Sequence, residues 1–479
     1  MEKISNYIGG ELHAPSSGKY NESINPATAE VFSLVPECEA VDLDKAIQSA
    51  QSAFPLWSRS SAMERATVLT KIADLIEANA EELALAETTD TGKPLRLART
   101  IDIPRASANM RFFAQAITQF SSESHATPDA INYTLKQPLG IVACISPWNL
   151  PLYLFTWKIA PALATGNCVI AKPSEVTPYT AYLFSKLCIE AGLPTGVLSI
   201  LHGSGAGIGN ALIENKHIKA VSFTGGTATG KKIAATSAPM LRKVSLELGG
   251  KNPALVFADC DLEFTVQELV KASFTNQGEI CLCASRILVE KSIYEDFKKR
   301  FVEKVAQLRV GDPLEEENNL GAIVSLNHLE KIKSYINLAK EEGGKLLYGK
   351  EVEAYNNRCK NGYFLGPHIF EKLGPNCRVN QEEIFGPVVT LASFAEENEA
   401  LSMANNSNYG LAGTIWTSNL NRAHRVSEQL QTGIVWVNCW MNRDLRTPFG
   451  GMKESGLGRE GGLQALNFFT ESKNVCVKY

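Results

Sequence analysis

Three short segments carry residue types that together could work on a carbonyl carbon. Asn276-Gln277-Gly278-Glu279-Ile280-Cys281 puts a thiol in a polar, glycine-containing loop. Leu246-Glu247-Leu248-Gly249-Gly250 sets a carboxylate beside a flexible Gly-Gly turn. Ser146-Pro147-Trp148-Asn149 offers an amide just past a Pro-Trp break. A thiolate is a nucleophile, a carboxylate takes up a proton, and an amide N–H stabilises an oxyanion. Most cysteines are small buried apolar residues, and the apolar or amphipathic contexts of Cys144, Cys168 and Cys188 suit that role. The context of Cys281 does not, and Cys283, two residues on, is its competitor. Glu247 lies between two leucines at the end of a strand-like run, a poor place for a solvated surface carboxylate.

Two glycine clusters invite a nucleotide. Gly203-Ser204-Gly205-Ala206-Gly207-Ile208-Gly209 follows a strand-like run but does not match the GxGxxG spacing cleanly. Gly225-Gly226-Thr227-Ala228-Thr229-Gly230-Lys231-Lys232 mimics a P-loop, yet Lys232 stands where Ser or Thr would bind magnesium. A kinase or ATPase reading fails there. Taken alone, both clusters also read as tight turns between strand and helix.

The elements that must hold these residues follow from periodicity. The first hundred residues read helical, with Val68, Leu69, Ile72, Leu75 and Ile76 at helical spacing. Short apolar strands then alternate with helices: Gly140–Ile145, Asn167–Ala171, Gly196–Leu201, Ala220–Phe223 and Val244–Leu246, with a helix over Pro178–Ala191. A second series follows Gly250, with strands at Pro253–Phe257 and Arg286–Val289 and a helix over Ser292–Leu308. Alternation of this kind predicts parallel α/β units in open sheets. Ile131–Leu135 and the C-terminal Asn474–Tyr479 read as exposed edge strands, which invite pairing.

Composition sets the outer bounds. A chain of 479 residues exceeds one core, so two or three domains are expected. A net charge of −4 argues against a nucleic-acid or anionic-membrane partner. The first residues lack the apolar core of a signal peptide, and no run reaches the ~20 apolar residues of a spanning helix. Eleven scattered cysteines read as reduced thiols of a cytoplasmic protein. The seven histidines are isolated, so no metal site is expected.

The motifs together resemble the aldehyde dehydrogenase superfamily over nearly the whole chain. The resemblance implies a Rossmann-type NAD-binding domain (residues 1–120 and 139–249), an α/β catalytic domain (250–446) and a small β oligomerisation domain (121–138 and 463–479) that pairs subunits into a homodimer or homotetramer. It implies Cys281 as nucleophile, Glu247 as the base for thioester hydrolysis, Asn149 as oxyanion donor, and Lys158 as a lysine near Asn149 that helps relay protons. Acylating relatives tend to lack the base, so Glu247 favours a free acid as product. The family usually has Gln where this chain has Glu279. NAD is the implied cofactor, held by Trp148, Lys172, Ser174, Glu175, Gly205, Gly209, Phe223, Gly225, Gly226, Leu248, Glu383 and Phe385. Lys172 and Glu175 would bind the adenosine ribose, and Glu175 would repel the 2′-phosphate of NADP. Glu383 would bind the nicotinamide ribose, in a motif that otherwise reads as a helix end before a Phe-Gly-Pro turn.

The substrate signal lies in two arginines. Arg105, in Asp102-Ile103-Pro104-Arg105, and Arg443, in Arg443-Asp444-Leu445-Arg446, fall where relatives carry apolar or aromatic tunnel residues. Trp157 and Phe449 complete the expected substrate site. An arginine in an apolar tunnel costs desolvation unless it meets an anion, and it grips carboxylates with two donors. The alternative is that both arginines pair with Asp102 and Asp444 at the surface. The pattern resembles the muconic semialdehyde branch, so the expected substrate is 2-aminomuconate 6-semialdehyde, with 2-hydroxymuconic semialdehyde as the alternative. Betaine aldehyde fits worse, because a quaternary ammonium wants an aromatic box. A catalytically silent binding homologue is the reading from another class, and intact Cys281, Glu247 and Asn149 oppose it.

Overall fold

The computed structural model describes residues 2–350, 352 and 357–479. Five apolar runs form parallel strands of one sheet, in the spatial order Lys243–Glu247, Ile218–Thr224, Ile141–Ile145, Cys168–Lys172, Leu198–Ile200. Ile141–Ile145 and Cys168–Lys172 are buried along their whole length, as expected of strands covered on both faces. The strand order reverses at Ile141–Ile145. Such a reversal leaves a crevice beyond the carboxyl ends of the flanking strands. The Ser146–Asn149 loop and the Gly225-Gly226 turn open there, directly after Ile141–Ile145 and Ile218–Thr224.

The helical expectation for the first hundred residues is corrected for the first 36. Helices Ala40–Trp57, Ala62–Ala78 and Ala80–Thr91 form, but five strands precede them. Glu2–Lys3, Tyr20–Asn25 and Glu30–Pro36 make a separate three-stranded sheet. Asn6–Ile8 pairs antiparallel with Leu198–Ile200 and extends the large sheet. Strands of two or three residues leave no readable period. A partner far along the chain creates them, not local propensity.

Gly249-Gly250 is where the chain changes sheet. Lys243–Glu247 lies in the first sheet and Asn252–Val256 in the second. The second sheet has six parallel strands in the order His368–Glu371, Val388–Phe394, Ala284–Glu290, Asn252–Val256, Ala412–Trp416, Ile434–Val437, with Lys345–Gly349 antiparallel at one edge. The chain returns to the first unit near its end, where Gly456–Leu457 pairs with Leu246 and Glu247. The two edge strands foreseen near 131 and 474 pair with each other. Ala130–Pro138 runs antiparallel to Thr470–Lys478, with Ser124–Ala126 on its far side.

One helix pair matters for the site. Ser61 and Glu64 form a reciprocal cap, with Glu64 N–H donating to Ser61 Oγ at 3.1 Å and Ser61 N–H donating to Glu64 Oε2 at 2.7 Å. That starts helix Ala62–Ala78, whose Leu69, Ile72, Ala73 and Ile76 are buried. It packs against helix Ile103–Thr118, which has Pro104 in its first turn, where a missing N–H costs nothing. Arg105 follows immediately.

Candidate active site

The Cys281 loop is built under backbone constraint. Asn276, Gln277 and Gly278 all have positive φ, at 53°, 56° and 74°. For the two non-glycine residues this costs energy that the surroundings must supply. Gln277 does so by donating from Nε2 to the Ala322 carbonyl at 3.1 Å and accepting from Gly321 N–H at 3.1 Å. A Cβ on Gly278 would collide with the Gly386 carbonyl. Asn252 Nδ2 donates to the carbonyls of Cys281 and Cys283, at 2.7 and 2.9 Å. The loop therefore holds a fixed shape.

Cys281 is half-buried and Cys283 is buried. Cys281 lines a cavity of about 200 Å³ together with Trp148, Asn149, Gly225, Leu248, Glu383 and Phe385. Burial, then the carboxylates of Glu383 and Glu247, push its thiol up to about 12. A thiol in that position needs a proton acceptor before it can attack.

Asn149 is gripped from three sides. Lys93 Nζ donates to its carbonyl at 2.9 Å, and Asn276 Nδ2 donates to the same oxygen at 3.2 Å. Its own Nδ2 donates to the Glu279 carbonyl at 2.9 Å. An amide nitrogen carries two protons, so one is spent on orientation and the other can serve a ligand in the cavity. Lys93 is fully buried and also donates to Asp102 Oδ2 at 2.5 Å. Lys93 thus joins the Asn149 loop to the residue three places before Arg105.

Lys158, expected near Asn149 as part of a proton relay, makes its hydrogen bonds to other residues. The lysine that touches Asn149 is Lys93. Helix Pro151–Ala164 carries Lys158 past Asn149, to where its Nζ donates to Glu460 Oε1 at 2.7 Å and to Ser222 Oγ at 3.2 Å. Ser222 Oγ also donates to Glu460 Oε1, at 3.0 Å. Glu247 is buried, and among the described residues neither of its carboxylate oxygens has a hydrogen-bond partner. Burial first, and then the charge of Glu460, hold its carboxyl well above the usual carboxylate range, while Lys158 and two arginines oppose them. Glu460 went unnoticed in the sequence. It sits in a glycine-rich stretch with no pattern around it, and only pairing of Gly456–Leu457 with the first sheet brings it inside.

A second cavity, of about 280 Å³, shares Pro147, Trp148, Thr224, Gly225 and Gly226 with the first and runs to Lys172, Ser174, Glu175, Gly205, Gly209 and Phe223. Glu175 accepts from Lys172 Nζ at 3.0 Å and from Gly205 N–H at 3.0 Å. Helix Thr227–Ser237 begins at the shared wall, and no side chain caps its N-terminus. Its free N–H groups suit a pyrophosphate. Gly225 leaves room for the Phe223 ring, which a Cβ there would strike. Glu383 accepts from Gly250 N–H at 2.8 Å. Phe385, with φ of 62°, meets Trp148 edge to face at 5.2 Å. His328, which carried no signal in the sequence, donates from Nε2 to the Phe385 carbonyl at 2.6 Å and lines the same cavity. The elongated, two-part cavity with its uncapped helix fits a dinucleotide.

A third cavity, of about 370 Å³, is lined by Ile101, Arg105, Ala108, Tyr153, Met441 and Arg443, among others. The surface-pair alternative for the arginines does not hold. Asp102 is taken by Lys93, and Asp444 by the exposed Arg446 at 2.6 Å. Among the described residues, no carboxylate lies within 4 Å of the Arg105 or Arg443 guanidinium. Arg443 instead lies 4.0 Å from the Phe449 ring centre and 5.5 Å from that of Trp157, and donates from Nη1 to the Tyr153 hydroxyl at 2.6 Å. Arg105 lies over Tyr153 and Trp157, and its Nε and Nη2 are buried without a partner.

A fold of this kind around a cysteine, a buried carboxylate and a held amide defines a class of enzyme. The sequence profile of the aldehyde dehydrogenase family matches residues 13–475, and the chain belongs to that family. It is 48% identical over 480 residues to a 2-aminomuconic semialdehyde dehydrogenase of Danio rerio, covering 99% of this chain and 98% of that one. It is 44% identical over 485 residues to a 2-hydroxymuconic semialdehyde dehydrogenase of Pseudomonas sp. (strain CF600), with both chains covered in full. Among solved structures, the NAD+ complex of a Bacillus cereus aldehyde dehydrogenase superposes with a TM-score of 0.96 at 38% identity, over 99% of this chain and 96% of that one.

Proposed function

We propose that this enzyme oxidises 2-aminomuconate 6-semialdehyde to the dicarboxylate, with NAD as hydride acceptor. The observation that carries the substrate is the pair of unneutralised guanidinium groups in an aromatic-walled cavity. Two such cations repel each other and cost desolvation unless an anion joins them. A semialdehyde with a carboxylate at its far end supplies that anion. Relatives named for muconic semialdehydes, matched from end to end, support the same substrate class. The full-length likeness to the hydroxymuconic enzyme favours 2-hydroxymuconic semialdehyde as a second substrate.

In this reading the Cys281 sulfur gives up its proton to water and attacks the aldehyde carbon. The second Nδ2 proton of Asn149 and the Cys281 backbone N–H receive the oxyanion. NAD, when bound, takes up the hydride that the tetrahedral carbon expels. A thioester remains on Cys281. Glu247 then removes a proton from water, which attacks the thioester and releases the acid. Lys158 and Glu460 form the charged pair behind Glu247 that tunes it. Glu175 and Lys172 would hold the adenosine ribose, and Glu383 the nicotinamide ribose.

Replacing Asn149 by alanine should slow the hydride-forming step by about a hundredfold or more, the usual effect of losing one oxyanion donor. Stopped-flow NADH formation measures it, and an unchanged first-step rate excludes the role.

Substrate choice is tested by a kinetic panel of aminomuconic, hydroxymuconic, betaine and uncharged aliphatic aldehydes. Arg105→Ala and Arg443→Ala should each raise KM for the muconic semialdehydes by a factor matching about 1.5–3 kcal/mol. The preference for carboxylated over uncharged aldehydes should collapse. Variants that treat both kinds of aldehyde as the parent does overturn the substrate reading and leave the dehydrogenase reading standing.

A homodimer or homotetramer in the cytoplasm completes the proposal. The free strand edge of Thr470–Lys478 supports subunit pairing. Eleven unpaired thiols support a reducing compartment. Among the described residues, no helix is long and apolar enough to cross a membrane.

A further inference from the structure

Tyr153 stands between the two arginines. It is 2% exposed. Its hydroxyl oxygen accepts from Arg443 Nη1 at 2.6 Å, and its ring lies under the Arg105 guanidinium at 5.4 Å. Its main-chain carbonyl accepts from Asn109 Nδ2 at 3.0 Å. Trp157, one helical turn on, presents its ring on the same face, to the same two cations. The tyrosine is thus fixed at its backbone, its ring and its oxygen.

A phenol carries one donor proton. Because Arg443 donates into the oxygen, that proton points elsewhere. Among the described residues none accepts it, and Tyr153 lines the cavity that both arginines share. Resting on the carboxylated-aldehyde reading above, we propose that Tyr153 is a third substrate-binding residue, whose hydroxyl donates to the carboxylate of the semialdehyde. Donation from a guanidinium polarises the phenol and strengthens the hydrogen bond it makes in turn. A carboxylate has about four lone-pair sites, enough for the tyrosine and both arginines together. The hydroxyl therefore adds selectivity that the cations alone lack. Arginine attracts any anion, whereas a fixed O–H between two guanidinium groups matches one acceptor position.

A direct contact and mere support of Arg443 predict different results in a double-mutant cycle. Tyr153→Phe, Arg443→Ala and the double variant are assayed with 2-hydroxymuconic semialdehyde and with hexanal. The readout is the ratio of the two kcat/KM values. The ratio should fall about tenfold or more in Tyr153→Phe, through KM more than kcat, as expected for a hydrogen bond to a charged group. A smaller loss should persist when Tyr153→Phe is added to Arg443→Ala, because the phenol then donates without the polarising guanidinium. If the loss vanishes in that background, the tyrosine only holds the arginine and the proposal is overturned. Parallel loss on hexanal, which leaves the ratio unchanged, overturns it as well. A parent enzyme with no preference for the carboxylated aldehyde overturns the substrate reading and this inference together. A parental preference that Tyr153→Phe leaves intact overturns this inference alone.

Discussion

Cys281→Ala should abolish NADH formation, whereas Cys283→Ala should keep much of it. The two thiols lie two residues apart and carry the same chemistry, so the contrast isolates position. Cys281 is half-buried on the wall shared with Asn149 and Glu383, while Cys283 is buried, with its thiol toward the Thr275 carbonyl at 3.9 Å. Only the first can meet an aldehyde carbon and an amide donor at once. Cys281 lines the cavity beside Asn149, so a substitution that removes its sulfur leaves no thiol placed to form the thioester. Steady-state rates of both variants, with circular dichroism to confirm folding, decide the matter. Equal loss in two well-folded proteins would falsify the assignment.

Glu247→Ala should separate the two halves of the reaction. Attack and hydride release should still proceed, giving a burst of about one NADH per site, and turnover should then slow by about a hundredfold or more. The pH dependence has a definite sign. Burial and the neighbouring Glu460 raise the Glu247 pKa, so the protonated acid persists above the usual carboxylate range and the basic form accumulates as pH rises. Thioester hydrolysis in the parent should therefore accelerate with increasing pH. Glu247→Gln, which keeps the shape but cannot titrate, should lose that rise. Rapid-mixing traces across pH measure both effects. A variant that turns over at the parental rate without a burst removes Glu247 from the mechanism.

Much of this was legible in the chain. The strands of the first sheet and the switch of sheets at Gly249-Gly250 follow from apolar runs broken by glycine. Cys281, Glu247 and Asn149 were legible because each breaks the expectation of its surroundings: a thiol among polar residues, a carboxylate among leucines, an amide after Pro-Trp. Arg105 and Arg443 were legible for the same reason, against an apolar tunnel. The N-terminal strands were not, because Asn6–Ile8 is a strand only through its partner at Ile200. Lys93 and Glu460 were not legible either. Their local sequences are ordinary, and burial beside residues 56 and 302 positions away gives them meaning. Lys158 was placed by the family resemblance, and its hydrogen bonds go to Ser222 and Glu460, which lie far from it in the chain.

The pairing of Gly456–Leu457 with Leu246 and Glu247 has a consequence for synthesis of the chain. The nucleophile loop and the oxyanion residue leave the ribosome long before Glu460 does. Without the segment around Glu460, Glu247 lacks the charges of Arg459 and Glu460, and the first sheet ends at Lys243–Glu247. Domains otherwise assemble from the N-terminus onward as they are made. Here the Lys158–Glu460 contact closes a loop of about three hundred residues, and such distant contacts form late. A chain in which this segment has not docked would thus carry Cys281 and Glu247 without the Glu460 carboxylate that raises the Glu247 pKa. Docking of segment 456–460 places a charge beside the base that clears the acyl group, and the rate of thioester hydrolysis should report whether that segment has docked.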